Sequence, residues 1–145
     1  MSVDAGDVLI NDGDMLTNSE LNVRSGGLLR QRGRLVAGAG ARLDGAVLIN
    51  DGLISVVDQL LLEHAGITNA GTLEAGERLS VSGQVEHLNN TGLLRTDGAM
   101  RIAAAAVDNE DGGTMTAAGH LVIEDVERLN NRGLIMARGD LALRV

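Results

Sequence analysis

A repeat of about twenty residues constrains the fold of this chain more than any other feature of its sequence. Seven glycines mark the repeat, and they follow one another at spacings of 20, 19, 19, 21, 21 and 20 residues. The seven are Gly13, Gly33, Gly52, Gly71, Gly92, Gly113 and Gly133. A fixed period of this length is typical of solenoids, in which each repeat packs only against its neighbours.

Apolar residues occupy four fixed positions in every repeat, one four residues before the glycine and three at two, eight and ten residues after it. All 28 such positions, four in each of seven repeats, are apolar, provided that the sixth repeat has a two-residue insertion within "NEDGG" that places Val107 in the first position. The apolar spacing is mostly two, the period of a strand, and never a sustained 3.6. Each repeat therefore predicts about three short strands, and stacking the repeats buries one continuous apolar column.

The predicted fold is all-β, a right-handed parallel β-helix (β-solenoid) of about seven coils of about 20 residues. Residues 1–145 form a single solenoid domain in this prediction. The chain has no Phe, Tyr, Trp, Pro or Cys, so aliphatic side chains must fill the core. Stacked coils place each side chain on a similar neighbour, and branched aliphatic residues suit such columns.

A polar residue precedes each repeat glycine by two positions, and glycine and asparagine both suit a turn. We predict that these residues form an internal ladder of stacked side chains that satisfies turn backbone, and that each glycine supplies a positive φ. A polar binding stripe is the alternative interpretation. The predicted ladder consists of Asn11, Gln31, Asn50, Asn69, Asn90, Asp111 and Asn131.

The charge of the chain argues against two classes of partner. The formal net charge is −8 and all twelve cationic side chains are Arg. Nucleic acids and anionic membranes attract basic surfaces, so we expect neither as a partner. The residues that follow Met1 include no basic segment leading into an apolar one, so the sequence predicts no signal peptide within this chain.

Acidic side chains offer one candidate for chemistry. Asp58, Glu77 and Asp97 fall at similar positions in three successive repeats, and paired carboxylates on neighbouring coils could bind Ca²⁺ or act as acid and base. In the next two repeats the corresponding position is occupied by glycine, so we interpret these acidic residues as part of a solvated turn. The segment Asp108–Gly113 contains three acidic residues but lacks the order of a calcium-binding loop, and we interpret it as a solvated loop.

Histidines and arginines offer no better candidates for a catalytic or metal-binding site. His64, His87 and His120 fall at different positions of their repeats, so we do not expect them to form one metal site. Arginines at outward positions are interpreted as solubilising charges; they are Arg95, Arg101, Arg138 and Arg144. We therefore predict no catalytic residue, no cofactor and no metal site.

The pattern L-x-N-x-G-x-I-x-A-x-G-D-L-x-L, as in Leu129–Leu143, resembles the filamentous haemagglutinin repeats of large bacterial exoproteins. The resemblance covers nearly the whole chain, strongest from Ile67 onward and weaker at Gly6–Val47. Proteins of this type are secreted by two-partner systems and include adhesins and contact-dependent growth-inhibition effectors. The resemblance implies a stalk on or released from the bacterial surface, which projects distal binding or toxin domains.

The resemblance also implies partners outside this segment. A receptor on a host or neighbouring cell would be bound by other parts of the parent protein, and an outer-membrane transporter would recognise a secretion domain that this chain does not contain. We expect the chain to be an internal fragment of a much larger protein. Two other functions remain open, a carbohydrate-active β-helix enzyme fragment and a polymer-forming cytoplasmic solenoid. Because the last strand has no coil above it, we also expect weak end-to-end self-association.

Overall fold

The computed structural model describes residues 1–145 and contains only strands, turns and loops. The chain has no helix that could cross a membrane. Nineteen strands follow one another along the chain, and each pairs in parallel with strands of the neighbouring coils. They are β1 (Ser2–Ala5), β2 (Val8–Asn11), β3 (Asp14–Thr17), β4 (Leu21–Gln31), β5 (Arg34–Ala37), β6 (Ala41–Asn50), β7 (Leu53–Val56), β8 (Gln59–Asn69), β9 (Thr72–Ala75), β10 (Arg78–Val81), β11 (His87–Asn90), β12 (Leu93–Thr96), β13 (Ala99–Ala103), β14 (Ala106–Asn109), β15 (Thr114–Ala117), β16 (Leu121–Glu124), β17 (Arg128–Asn131), β18 (Leu134–Ala137) and β19 (Leu141–Leu143).

Three faces run along the stack. The first face contains β1, the first halves of β4, β6 and β8, and then β10, β13, β16 and β19. The second face contains β2, the second halves of the same long strands, and then β11, β14 and β17. The third face is a separate seven-stranded sheet of β3, β5, β7, β9, β12, β15 and β18. The prediction of a parallel β-solenoid of about seven coils, with about three strands in each, is confirmed.

The apolar core consists of 29 buried residues in one continuous cluster. In-register stacking explains it, because each inward position lies on the corresponding position of the next coil. Leu79, for example, pairs with Leu60 on one side and with Met100 on the other. Each buried aliphatic side chain contributes roughly 1.5–3 kcal/mol, so columns of this kind hold the rod without aromatic residues or disulfides.

The final strand departs from the buried pattern. Leu141 and Leu143 occupy predicted core positions, yet their side chains are 48% and 53% exposed. Both lie in β19, which pairs only with β16. Burial in a solenoid depends on a coil on each side, so the same sequence pattern gives an exposed residue at the edge of the stack.

Candidate functional site

The internal amide ladder is the most extended polar feature of the structure. The side chains of Asn50, Asn69, Asn90, Asn109 and Asn131 stack on one another, and each Nδ2 donates to the Oδ1 of the next at 2.8 Å. Each of the first four also donates to a main-chain carbonyl of the following coil, at 3.0 to 3.2 Å. The amides are thus bound to one another and to turn backbone, which leaves none of those donors free for a ligand.

The structure corrects one member of the predicted ladder. Asn109, and not Asp111, occupies the sixth position, because the two inserted residues lie between Asn109 and Gly113. Asp111 lies exposed in the resulting turn. The prediction of Asp111 in the ladder is therefore wrong, because it did not allow for the two inserted residues. The prediction of Val107 in the core did allow for them and is confirmed. An aspartate could not have continued the ladder, because an ionised carboxylate has no hydrogen to donate.

The ladder is broken between Gln31 and Asn50. Asn11 Nδ2 donates to Gln31 Oε1 at 2.9 Å, but Gln31 Nε2 donates to the carbonyl of Leu53 and does not reach Asn50. Asn50 Oδ1 is buried and receives no hydrogen bond from the protein. The extra methylene of glutamine carries its amide past the position that an asparagine amide takes in the other coils. A buried acceptor without a donor is a local cost to stability.

Gln31→Asn is expected to stabilise the protein by about 1 kcal/mol, because it supplies the missing donor to Asn50 Oδ1. Urea unfolding of the variant and the wild type measures this difference. Asn69→Gln is the matched reverse change and should destabilise by a similar amount, since it places the longer side chain in an intact part of the ladder. A loss of stability in Gln31→Asn would show that the break is not caused by side-chain length.

The repeat glycines are required by close approach of the coils. A Cβ atom on any of the six after Gly13 would overlap a main-chain carbonyl of the preceding coil; these six are Gly33, Gly52, Gly71, Gly92, Gly113 and Gly133. The expectation that these glycines adopt a positive φ is wrong, because among the glycines only Gly83 and Gly112 do so. Glycine recurs in this column because there is no space for a side chain between successive turns.

The proposed acidic column is only partly assembled. Asp58 and Glu77 line one open groove, together with Glu20 and Arg42. Asp97 lies outside that groove and pairs with Arg95 at 3.1 Å. Gly98, and not Asp97, stacks directly over Glu77. The candidate set of Asp58, Glu77 and Asp97 therefore does not converge. Nowhere in the structure do three or more His, Asp or Glu side chains come together as metal ligands would.

The acids of the segment Asp108–Gly113 are also separated. Asp108 belongs to β14, and its carboxylate accepts hydrogen bonds from His87 Nε2 at 2.6 Å and from an Arg128 nitrogen at 2.9 Å. Glu110 pairs with Arg132 at 3.4 Å, and Asp111 forms no ion pair. The hydrogen bond from His87 holds the pKa of the Asp108 carboxyl below its usual range; Arg128 acts in the same direction and burial opposes both.

His64 is buried, although the repeat pattern of the sequence does not predict it to be. Its side chain is 2% exposed, and neither ring nitrogen has a hydrogen-bond partner. The ring packs on Gly45, its register partner in the preceding coil. Burial lowers the pKa of His64 to about 4, while the charge of Asp44 acts in the opposite direction. His64 lies at the corner between the first and second faces, where coil length varies and the repeat pattern predicts no inward position.

His64 is expected to make the protein acid-sensitive. The unfolded histidine has a pKa of 6.5 and the folded one about 4, so between these values the unfolded state binds more protons and stability falls as pH falls. The loss reaches about 3 kcal/mol at pH 4. Asp108 contributes to acid sensitivity at lower pH. Because its pKa is lowered in the folded protein, the stability it contributes is lost only as the pH falls below the ordinary pKa of aspartate.

Urea unfolding of the wild type and of His64→Leu between pH 7 and pH 4 tests this expectation. Leucine has a similar volume and no polar atom, so the variant should be at least as stable at pH 7 and should lose much less stability on acidification. Parallel losses in the two proteins would show that His64 is not the group responsible.

Comparison with known proteins places the chain in a family. The haemagglutinin repeat model matches residues 2–83 and 87–145. The 16S rRNA endonuclease CdiA of Enterobacter cloacae subsp. cloacae is 33% identical over 150 aligned residues, covering 90% of this chain and 4% of that protein. The deoxyribonuclease CdiA of Dickeya dadantii is 30% identical over 155, covering 94% of this chain and 5% of that protein. No solved structure matches the chain.

The chain thus spans about one twentieth of the length of these relatives. The family match agrees with the geometry, since the repeat glycines and the apolar columns recur from coil to coil in the matched region, and the amide ladder runs through it with one break. The chain belongs to the haemagglutinin repeat family.

Proposed function

We propose that this chain is a rigid spacer segment in the stalk of a large bacterial exoprotein. The observation that carries the proposal is the uniform stacking of its coils: both sheets and one apolar cluster continue through the stack. At about 4.8 Å per coil, seven coils give a rod of roughly 34 Å. A parent many times longer, with more coils of this kind, would extend much further from the cell.

The names of the relatives support a stalk that ends in a toxic domain. Both are called CdiA, and their names describe a 16S rRNA endonuclease and a deoxyribonuclease. We propose that such activities belong to other parts of the parent protein and that this segment separates them from the cell surface. The parent is secreted or held at the bacterial surface in this proposal, exported through an outer-membrane transporter of a two-partner system, and binds its receptor through other segments.

The segment itself is proposed to have no catalytic activity. No three acidic side chains come together as metal ligands would, Asp97 and Glu110 pair with arginine, and the amide ladder uses its donors internally. Outward charges on the first face pair across coils, as Arg42 does with Glu63 and Arg144 with Glu124. These arrangements support a structural role for the polar residues.

Lengthening the rod by whole coils tests the spacer proposal. Duplication of Gly71–Thr91 adds one coil, and small-angle scattering should show a rod longer by about 4.8 Å with unchanged cross-section. In a parent exoprotein, the same duplication should leave secretion and delivery of the distal activity intact. Loss of delivery with normal secretion and folding would show that the segment does more than separate the parts of the protein.

Turnover of polysaccharide substrates by the isolated chain would overturn the proposed lack of catalytic activity.

A further inference from the structure

Five Asp–Gly steps occur in the chain, and each is chemically capable of rearranging its own backbone. They are Asp12–Gly13, Asp44–Gly45, Asp51–Gly52, Asp97–Gly98 and Asp111–Gly112. The glycine nitrogen attacks Cγ of the aspartate, an N–Cγ bond forms, and the amide hydrogen and the carboxyl OH leave as one water molecule. Water then opens the cyclic succinimide at either carbonyl and gives back aspartate or yields isoaspartate, whose main chain is one methylene longer.

The fold restrains four of the five steps, three of them through a hydrogen bond donated by the glycine nitrogen. Gly52 donates to the carbonyl of Gln31 at 3.1 Å, and Gly98 donates to Thr96 Oγ1 at 3.1 Å. Gly13 donates to Asn11 Oδ1 at 3.3 Å. Gly45 lies inside β6 between two paired strands. In these places the reaction requires local opening of a coil, and an added main-chain atom would disturb the register with the neighbouring coils.

Asp111–Gly112 differs in each respect. The nitrogen of Gly112 donates to no protein group, and the Asp111 carboxylate has no ion pair or hydrogen bond. Gly112 has φ of 82°, and no atom lies within 4 Å of the position a Cβ would take, which among the other four glycines is true only of Gly13. Attack requires Asp111 to rotate about its Cα–C and Cα–Cβ bonds, and a single hydrogen bond, from Gly113 N to the carbonyl of Glu110 at 2.9 Å, closes this turn.

The turn is also isolated from the coil stack. Asn109 is held in the ladder, and its Nδ2 donates to the carbonyl of Gly113 at 3.1 Å, which fixes the two ends of the insertion against each other. Glu110 still donates its main-chain N–H to the carbonyl of Asn90 in the preceding coil at 2.9 Å. Only Asp111 and Gly112 lie outside the coil register, since Asn109 pairs with Asn131 and Gly113 stacks beneath Gly133. A longer main chain at Asp111 would therefore leave β14 and β15 in place.

We propose that Asp111–Gly112 is a site of spontaneous backbone modification, at which the exposed insertion converts to isoaspartate while the rod stays folded. The modified turn keeps its negative charge but displaces it and carries a main chain that ordinary proteases cleave poorly. Among the five Asp–Gly steps, this one is thus the place where the main chain can be altered covalently without a change in the stack.

Peptide mapping after prolonged incubation at neutral pH and body temperature tests the proposal. In water enriched in oxygen-18, hydrolysis of the succinimide adds one heavy oxygen, and electron-transfer fragmentation separates isoaspartate from aspartate. The folded chain should accumulate isoaspartate at Asp111 at least about tenfold faster than at Asp51 or Asp97, since those sites must first open. In urea, the five sites should react at similar rates, because the protection by the fold is lost.

Asp111→Glu is the matched control, because glutamate would have to close a less favourable six-membered ring. It should abolish the signal in this peptide and leave the other four sites unchanged. The thermal midpoint of the aged wild type should equal that of fresh protein. Equal rates at all five sites of the folded chain, faster reaction at another site, or unfolding in step with modification would each overturn the proposal.

Discussion

Leu79→Asp is expected to unfold the chain. The Leu79 side chain is fully buried, and its register partners above and below are Leu60 and Met100. An ionised carboxylate in this column would have neither water nor a counter-charge, and burying an unpaired charge costs several kcal/mol or more. Since domains of this kind have only about 5–15 kcal/mol of net stability, one such substitution exhausts most of it. Circular dichroism and urea unfolding measure the loss.

Ser80→Asp is the matched control for this prediction. Ser80 is the next residue of β10 and points to the outside of the first face, between Leu61 and Arg101. A carboxylate there remains in contact with solvent, and the change in stability should stay within about 0.5 kcal/mol. Leu79→Ala should fall between the two, at about 2–5 kcal/mol, because it leaves a cavity but no charge. Equal losses in Leu79→Asp and Ser80→Asp would contradict the register of the first face.

Deletion of half a coil is expected to destabilise the protein as much as Leu79→Asp does. Deletion of a whole coil should leave a folded protein. Removing Gly71–Thr91 takes out 21 residues and joins Ala70 to Gly92. Gly71 and Gly92 occupy equivalent positions in successive coils, so the following coil can take the place of the missing one. Its core residues would stack on those of the preceding coil in the same order; these are Leu94, Met100, Ile102 and Val107 on Ile54, Leu60, Leu62 and Ile67.

Removing Gly71–Ser80 takes out ten residues and leaves half a coil. The chain would then have to join the second face directly to the first, and the strands after the deletion could not stack in register on the coils before it. A solenoid holds together only through contacts between neighbouring coils, so we expect this variant to aggregate. Circular dichroism with analytical centrifugation distinguishes the results, and equally well-folded products of the two deletions would contradict the stacked-coil architecture.

The repeat period and the alternation of apolar residues were enough to predict the fold. In a stack of identical coils, one position in the sequence corresponds to one place in space, so a column of Leu, Ile and Val in the sequence is also a column in the core. This reasoning correctly paired Leu79 with Leu60 and Met100, and it placed Val107 inside despite the insertion. In β19 the alternation continues, but Leu141 and Leu143 are exposed because no coil covers this last strand, which agrees with the expectation of an uncovered edge.

The polar positions were less well determined by the sequence, for a physical reason. Asp111 was assigned to the ladder by counting from a glycine, yet hydrogen bonding selects Asn109, since only an amide can both accept from one neighbour and donate to the next. The sequence predicts a positive φ at the repeat glycines, but these glycines do not adopt one. Glycine is needed at these positions because the coils approach too closely for a side chain.

The sequence by itself thus determined the period, the strands and the apolar columns, because these depend on residues a fixed distance apart along the chain. Only the tertiary structure determined the burial and the contacts of residues at corners and insertions, because coil lengths differ there and the period does not predict which way a side chain points. The buried His64, packed on Gly45, and the pairing of Asp108 with His87 and Arg128 both depend on which coil lies above and which below. Such contacts join residues about twenty positions apart, and the side chains of three successive coils must be placed together before any of them can be seen.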